Sequence, residues 1–246
     1  MQFLYTYMLV IERIIPVIDI KDGIAVGAKA GERDHYMELK SILTNSSNPI
    51  VISKIYKKIG FKSIYIADLD GIMKSSPNVD LLKRIKWETN LDIMADIGTW
   101  SERDIRSIEM AGITPILATE TFKSLNLLEF PRKFALSLDI RGNKLLCEMK
   151  CDLDDFIEII EDILTIERII VIDLNRVGMS SGPNLELCKR IIKKLSDREI
   201  IYGGGVRFLL DVEILLKLGV SKVLVGSALH EGRIMVGDLI KAERSE

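Results

Sequence analysis

"MKSSPNVDLLKRI" runs from Met73 to Ile85, and "MSSGPNLELCKRI" runs from Met179 to Ile191. Eight of the thirteen aligned positions are identical. One long repeat of this kind is not a solenoid, which needs several copies at a period of roughly 20–50 residues. A Pro-Asn turn opening an amphipathic helix, written twice nearly half a chain apart, points to two similar halves. In each copy Leu81 or Leu187 and Ile85 or Ile191 are spaced to face a core.

Outward from this pair the likeness continues. "IIPVIDIKDGIAV" from Ile14 aligns with "FALSLDIRGNKLL" from Phe134, setting Asp19 over Asp139. "IADLD" (66–70) aligns with "VIDLN" (171–175), setting Asp68 over Asp173. "IGTWSERDIRSIEMAGI" (97–113) aligns with "GGVRFLLDVEILLKLGV" (204–220). Short apolar runs fall at 13–20, 63–69, 91–96, 114–119, 134–140, 168–174, 199–204 and 221–227. Near-continuous Ile, Val, Leu and Ala suits parallel strands covered on both faces. Helical patterns lie between them: "PIVISKIYKKIG" stops at a glycine, "SERDIRSIEMAGI" opens on a serine cap, and "DLDDFIEIIEDILTIE" opens on acids. Each correspondence pairs strand n with strand n+4. The expected fold is therefore a (β/α)₈ TIM barrel in the α/β class, one domain over 1–246, built from half-barrels at about 13–125 and 133–240. An open doubly wound sheet leaves the repeat unexplained.

Composition agrees. Of 246 residues, 48% are hydrophobic and 28% charged, enough apolar material for a large core. A net charge of −2 provides no basic field for nucleic acid. Cys147, Cys151 and Cys188 form neither a metal-ligand spacing nor a disulfide framework, as expected of a cytoplasmic chain. The apolar start is broken at Glu12 and Arg13, too early to span a bilayer, and lacks the marks of a signal peptide. No membrane, metal or cofactor is expected; monomer and dimer both stay open.

Function in such barrels gathers where strands end and βα loops begin. Asp19 and Asp139 end strands one and five, opposite each other across the mouth. Partly desolvated carboxylates there can serve as an acid–base pair. Glycines after strands seven and eight, Gly203, Gly204, Gly205 and Gly226, with Ser227, let backbone amides approach a phosphate. Of the two histidines, His230 reads as a structural cap of a short helix, while His35 sits in a polar loop with Arg33.

"IIPVIDIKDG", "IADLDGI", "SLDIRG", "SSGPNLEL", "GGGV" and "VGSALHEGR" resemble the barrels of histidine biosynthesis, over about residues 13–233. Among these, the chain is most similar to the ribotide isomerase, and less so to its sister, the cyclase subunit of imidazole glycerol phosphate synthase. The resemblance implies an Amadori rearrangement of an aminoaldose to an aminoketose, on a small substrate with a phosphate at each end. It suggests Asp19 as base and Asp139 as acid; the residues alone leave those roles open. Lys21, Lys29, Arg33, Asp68, Asp173, Ser181 and Gly182 are the further candidate substrate contacts.

Three features depart from the family pattern. The strand-three loop reads "ADIGTWS", with Asp96 where a phosphate needs bare amides, and the strand-four loop adds Glu120. The basic residue expected eight positions after Asp19 is Gly27, so Lys29 takes over its role only if the strand continues. Val177 replaces an acid after strand six. One phosphate site kept and one eroded suggest a one-phosphate substrate, or a bisphosphate bound differently. "GAKAGERDHY" also resembles a divergent branch of the family linked to one-carbon and methanopterin-type metabolism. Three readings follow: an isomerase of the histidine-pathway type, a divergent enzyme on another phosphorylated metabolite, or a non-catalytic binder of phosphorylated metabolites.

Overall fold

A computed structural model describes residues 10–98, 102–121, 123–126, 133–147, 149, 151–235, 237 and 239. Eight parallel strands succeed one another: β1 (Ile14–Lys21), β2 (Ser63–Asp68), β3 (Asp92–Asp96), β4 (Thr114–Ala118), β5 (Ala135–Arg141), β6 (Arg168–Asp173), β7 (Glu199–Gly203) and β8 (Lys222–Val225). Each pairs with the next in chain order, and β8 pairs with β1 through Ile14↔Val223, Ile15↔Leu224 and Pro16↔Val225. The sheet is thus a closed barrel, and every expected strand is present within about two residues of its predicted ends. Short antiparallel strands follow β1 (Ile24–Gly27, then Met37–Glu38) and β5 (Lys144–Leu145).

The described α-helices are α1 (Pro49–Ile59), α2 (Leu69–Lys74), α3 (Val79–Thr89), α4 (Glu102–Met110), α5 (Leu153–Glu161), α6 (Leu185–Lys194), α7 (Leu209–Leu218) and α8 (Ser227–His230). Their ends follow local chemistry. Asn48 caps α1, and Gly60 closes it at φ 115°, a left-handed conformation that glycine tolerates. Asp152 and Asp155 form a capping box on α5. Ser101, the expected cap of α4, lies outside the described residues.

Side-chain alternation divides the barrel into two packed layers. Ile15, Tyr65, Met94, Ile116, Ala135, Ile170, Ile201 and Leu224, one from each strand, fill the interior. Their neighbours, among them Ile14, Ile18, Ile64, Ile93, Leu136, Leu138, Ile169 and Val171, pack outward beneath the helices. Burying each such side chain contributes about 1.5–3 kcal/mol. Period two then carries Asp19 on β1, Asp96 on β3 and Asp139 on β5 inward, in line with Ile15, Met94 and Ala135. Asp68 and Asp173 fall on the outward rows of Ile64 and Ile169.

Those two outward aspartates explain the Pro-Asn turns. Asp68 accepts from the Asn78 backbone N–H and from Asn78 Nδ2 at 2.9 Å. Asp173 accepts from Asn184 Nδ2 at 3.2 Å. Each asparagine therefore ties the first turn of α3 or α6 to the end of the preceding strand. One expectation needs correction: Leu187 is buried as expected, beside the deeper Cys188, but in the first copy Leu82, at 0% exposure, takes the place expected of Leu81. Leu81 is only partly buried against the core.

Candidate active site

At the strands' C-terminal ends lies an open cleft of about 1080 Å³, its solvent-filled mouth included. Asp19, Asp96, Glu120 and Asp139 all line it, as do Arg33, Tyr36 and Tyr65. The first three aspartates arrive by the inward period of their strands, and Glu120 lies just past the end of β4. On the β7–β8 side the wall is Gly203, Gly204, Gly205, Gly226 and Ser227. The cleft therefore has a carboxyl-rich side and a glycine-rich side.

Burial raises the Asp19 pKa to about 7, with Arg33 pulling the other way. Burial also raises Asp139 to about 7; the field of Glu120 adds to the rise, while Ser137, the Glu120 N–H and Arg33 oppose it. Around Asp139, Ser137 Oγ bonds Oδ1 at 3.0 Å, the Glu120 N–H donates to Oδ2 at 3.3 Å, and Thr119 Oγ1 is 3.4 Å from Oδ2. Asp19 receives no hydrogen bond from a described residue. Two carboxyls that change protonation near neutrality, in one cleft, can exchange protons with a bound molecule in both directions.

Asp96 is pushed well above the ordinary carboxyl range by burial, then by Glu120 and Asp139. Its Oδ1 accepts the Gly98 N–H at 2.9 Å. That amide is thus taken by a carboxyl group from its own loop and cannot also face a phosphate. Arg33 forms an ion pair with Glu120. Although burial disfavours its charge, that pair and the fields of Asp96 and Asp139 raise the Arg33 pKa above its usual value.

On the glycine side, Gly205 stands at φ 74°, and a Cβ there would lie 2.4 Å from Gly182 O. Glycine is needed there for the close approach of the β7 and β6 loops. Gly226 differs: an added Cβ would meet nothing nearer than Val17 Cβ at 3.7 Å. Packing does not demand a glycine there, and no side chain caps α8, which Gly226 introduces. A bare, uncapped helix start facing a cleft suits an anion.

Several candidates sit elsewhere. Lys21 Nζ donates to Arg33 O at 3.0 Å and so supports the loop. The strand after β1 ends at Gly27 and does not continue to Lys29, which is exposed and outside the cleft wall. Asp68 and Asp173 hold the turns described above. Ser181 is exposed, and Gly182 N–H donates to Gly205 O at 2.9 Å, joining loops rather than lining the cleft. His35 is exposed. His230 reaches the cleft wall, but its ring is held by Tyr56 Oη at 2.7 Å and Ser41 Oγ at 2.8 Å, and burial lowers its pKa to about 4. Tyr36, which shares the polar loop of Arg33 and His35, lines the cleft, whereas sequence reasoning missed Tyr65. Alternation from Ile15 and Met94 marks Tyr65 as inward, but a tyrosine in an apolar strand reads as core. Among the described residues, no group of three or more His, Cys, Asp or Glu is disposed to hold a metal ion. No described helix is long and apolar enough to cross a membrane.

Known proteins echo this arrangement. An uncharacterised protein of Methanocaldococcus jannaschii is 37% identical over 231 residues, covering 93% of this chain and 97% of its own. The 1-(5-phosphoribosyl)-5-((5-phosphoribosylamino)methylideneamino)imidazole-4-carboxamide isomerase of Caldicellulosiruptor saccharolyticus is 30% identical, covering 92% and 98%. The isomerase of the same name from Streptococcus sanguinis is 28% identical, covering 94% and 98%. The family described as histidine biosynthesis protein matches residues 13–235. The chain belongs to that histidine biosynthesis family of (β/α)₈ barrels, among relatives that include ribotide isomerases.

Proposed function

We propose that this protein is an aldose–ketose isomerase that carries out an Amadori-type rearrangement of a phosphorylated ribosylamine; relatives named as isomerases of a phosphoribosylamino compound support the reading. The observation that carries the reading is the pair Asp19 and Asp139: inward at the ends of β1 and β5, in one cleft, with carboxyls near neutrality. Asp139, held by hydrogen bonds, acts as the acid, donating its proton to the ring oxygen as the C1–O bond breaks and the C1–N bond becomes an iminium. Asp19, free of hydrogen bonds, acts as the base and removes the C2 proton, giving an enolaminol. Return of a proton to C1 and loss of the hydroxyl proton at C2 complete the ketose, so no electrons leave the substrate. The substrate phosphate lies against Gly203–Gly205, Gly226 and Ser227, where the uncapped start of α8 supports an anion.

Asp96 favours a narrower version of this reading. With the Gly98 amide taken by its carboxyl group, a second phosphate on the β3 side would face the side chains of Asp96, Glu120 and Asp139 instead of bare N–H groups. The same chemistry on a substrate phosphorylated at one end fits the cleft better than a bisphosphate.

The test is a direct isomerisation assay, following product by chromatography, on the two-phosphate ribotide and on ribosylamine monophosphates. Turnover is expected with the wild type and is lost, by about a hundredfold or more, in Asp19→Asn and in Asp139→Asn. Undiminished turnover by both variants would remove the mechanism. Binding of monophosphates without turnover of any of these compounds would leave a binder in its place.

A further inference from the structure

We propose that Arg33 is a positioning residue: it latches the β1 loop across the cleft and, through Glu120, holds Asp139 in its working place. The inference rests on reading Asp139 as an acid–base group, but its test needs no turnover.

Three contacts seat the loop on the rim. Ala30 N–H donates to Val177 O at 2.7 Å, Arg141 Nη2 donates to Gly31 O at 3.2 Å, and Lys21 Nζ donates to Arg33 O at 3.0 Å. The fit is close: a Cβ on Gly178 would lie 1.8 Å from Ala28 O, so the β6 loop gives up a side chain to let the β1 loop pass. Ala30, a non-glycine residue, is held at φ 50°. Such a conformation persists where surrounding contacts impose it.

The Arg33–Glu120 ion pair is different in kind. Both of its side chains line the cleft, and it joins the loop after β1 to the loop after β4. Glu120 is also the residue whose own N–H donates to Asp139 Oδ2. When Arg33 draws the Glu120 side chain across the cleft, it fixes the peptide that orients Asp139. The same contact places one guanidinium within the field of Asp19, Asp96, Glu120 and Asp139.

Hydrogen exchange and carboxyl NMR titration on the full-length protein test this, comparing wild type with Arg33→Met and Glu120→Gln. In both variants the amides of Ala30, Glu32, His35 and Tyr36 should exchange roughly tenfold faster, as local opening becomes easier. The Asp139 midpoint should move in opposite directions: upward in Arg33→Met, which loses the cation, and downward in Glu120→Gln, which loses the anion beside it. A loop that merely packs would not produce that split. Unchanged exchange in both variants would overturn the latch, and midpoints moving the same way would overturn the coupling. Should Arg33→Met fail to fold, Glu120→Gln decides both points by its exchange and the sign of its shift. Opposite shifts in a protein without isomerase turnover would keep the latch and discard the isomerase; turnover without them would do the reverse.

Discussion

Replacing Asp19 with asparagine should stabilise the protein, and only above acid pH. The Asp19 carboxyl is raised from 3.8 to about 7 by burial, so the native state keeps a proton that the unfolded chain has already released. Between those values the native state binds more protons, and wild-type stability falls as pH rises. At about 1.4 kcal/mol per unit, the full penalty above pH 7 has a ceiling of about 4 kcal/mol. Asp19 is partly open to the cleft, and solvent there lowers the expectation to about 2 kcal/mol. Asparagine does not titrate, and no hydrogen bond from a described residue is lost, so the variant escapes the penalty. Thermal unfolding at about pH 8 should show a midpoint roughly 4–8 °C above wild type. At about pH 4 the two proteins should nearly coincide. His230 contributes the opposite slope: its lowered pKa makes stability rise with pH between about 4 and 6.5. That contribution is common to both proteins and cancels in the difference. A gain that is equal at both pH values, or a loss at pH 8, would refute the claim that a buried, ionising Asp19 strains the fold. Coupled to lost turnover, the stabilisation would mark Asp19 as a residue kept for chemistry at the expense of stability.

Further outcomes follow from the same geometry. Asn78→Ala strips Asp68, fully buried, of its side-chain partner and should cost about 1–3 kcal/mol in urea denaturation. Asn184→Ala should cost a similar amount: Asp173 keeps Arg176 Nε at 3.2 Å, but α6 loses the cap that the Asn184 side chain provides to the Leu187 N–H. Gly205→Ala, forced to φ 74° against Gly182 O, should lose about 2 kcal/mol or more of stability along with phosphate binding measured by calorimetry. Gly226→Ala should stay within about 1 kcal/mol of wild-type stability yet still weaken inorganic phosphate binding, since its Cβ meets only Val17. Asp96→Gly should free the Gly98 amide and tighten binding of a two-phosphate ribotide relative to a monophosphate.

Much of the fold was legible in the chain. The strand positions were readable because parallel barrel strands are buried on both faces and appear as short apolar runs. Helix ends were readable where a cap is local, as at Asn48, Gly60 and Asp152. The same continuous apolarity hid the direction of each side chain. Four aspartates end strands β1, β2, β5 and β6 and looked alike as site candidates. Two face the cleft and two hold asparagines beneath the helices. Counting by two from each strand's interior residue separates them, but which residue is interior is not marked in a run such as "RIIVID".

The sequence by itself determined the barrel, the register that sets Asp19 against Asp139, and the glycines after β7 and β8, because apolar runs, caps and glycines act over a few residues. Only the tertiary structure decided that Asp68 and Asp173 point outward and that Asp96 spends its carboxyl group on Gly98. It also decided that Arg33 crosses the mouth to Glu120. Those outcomes depend on strand parity and on distances between loops far apart in the chain, and local chemistry does not encode either one.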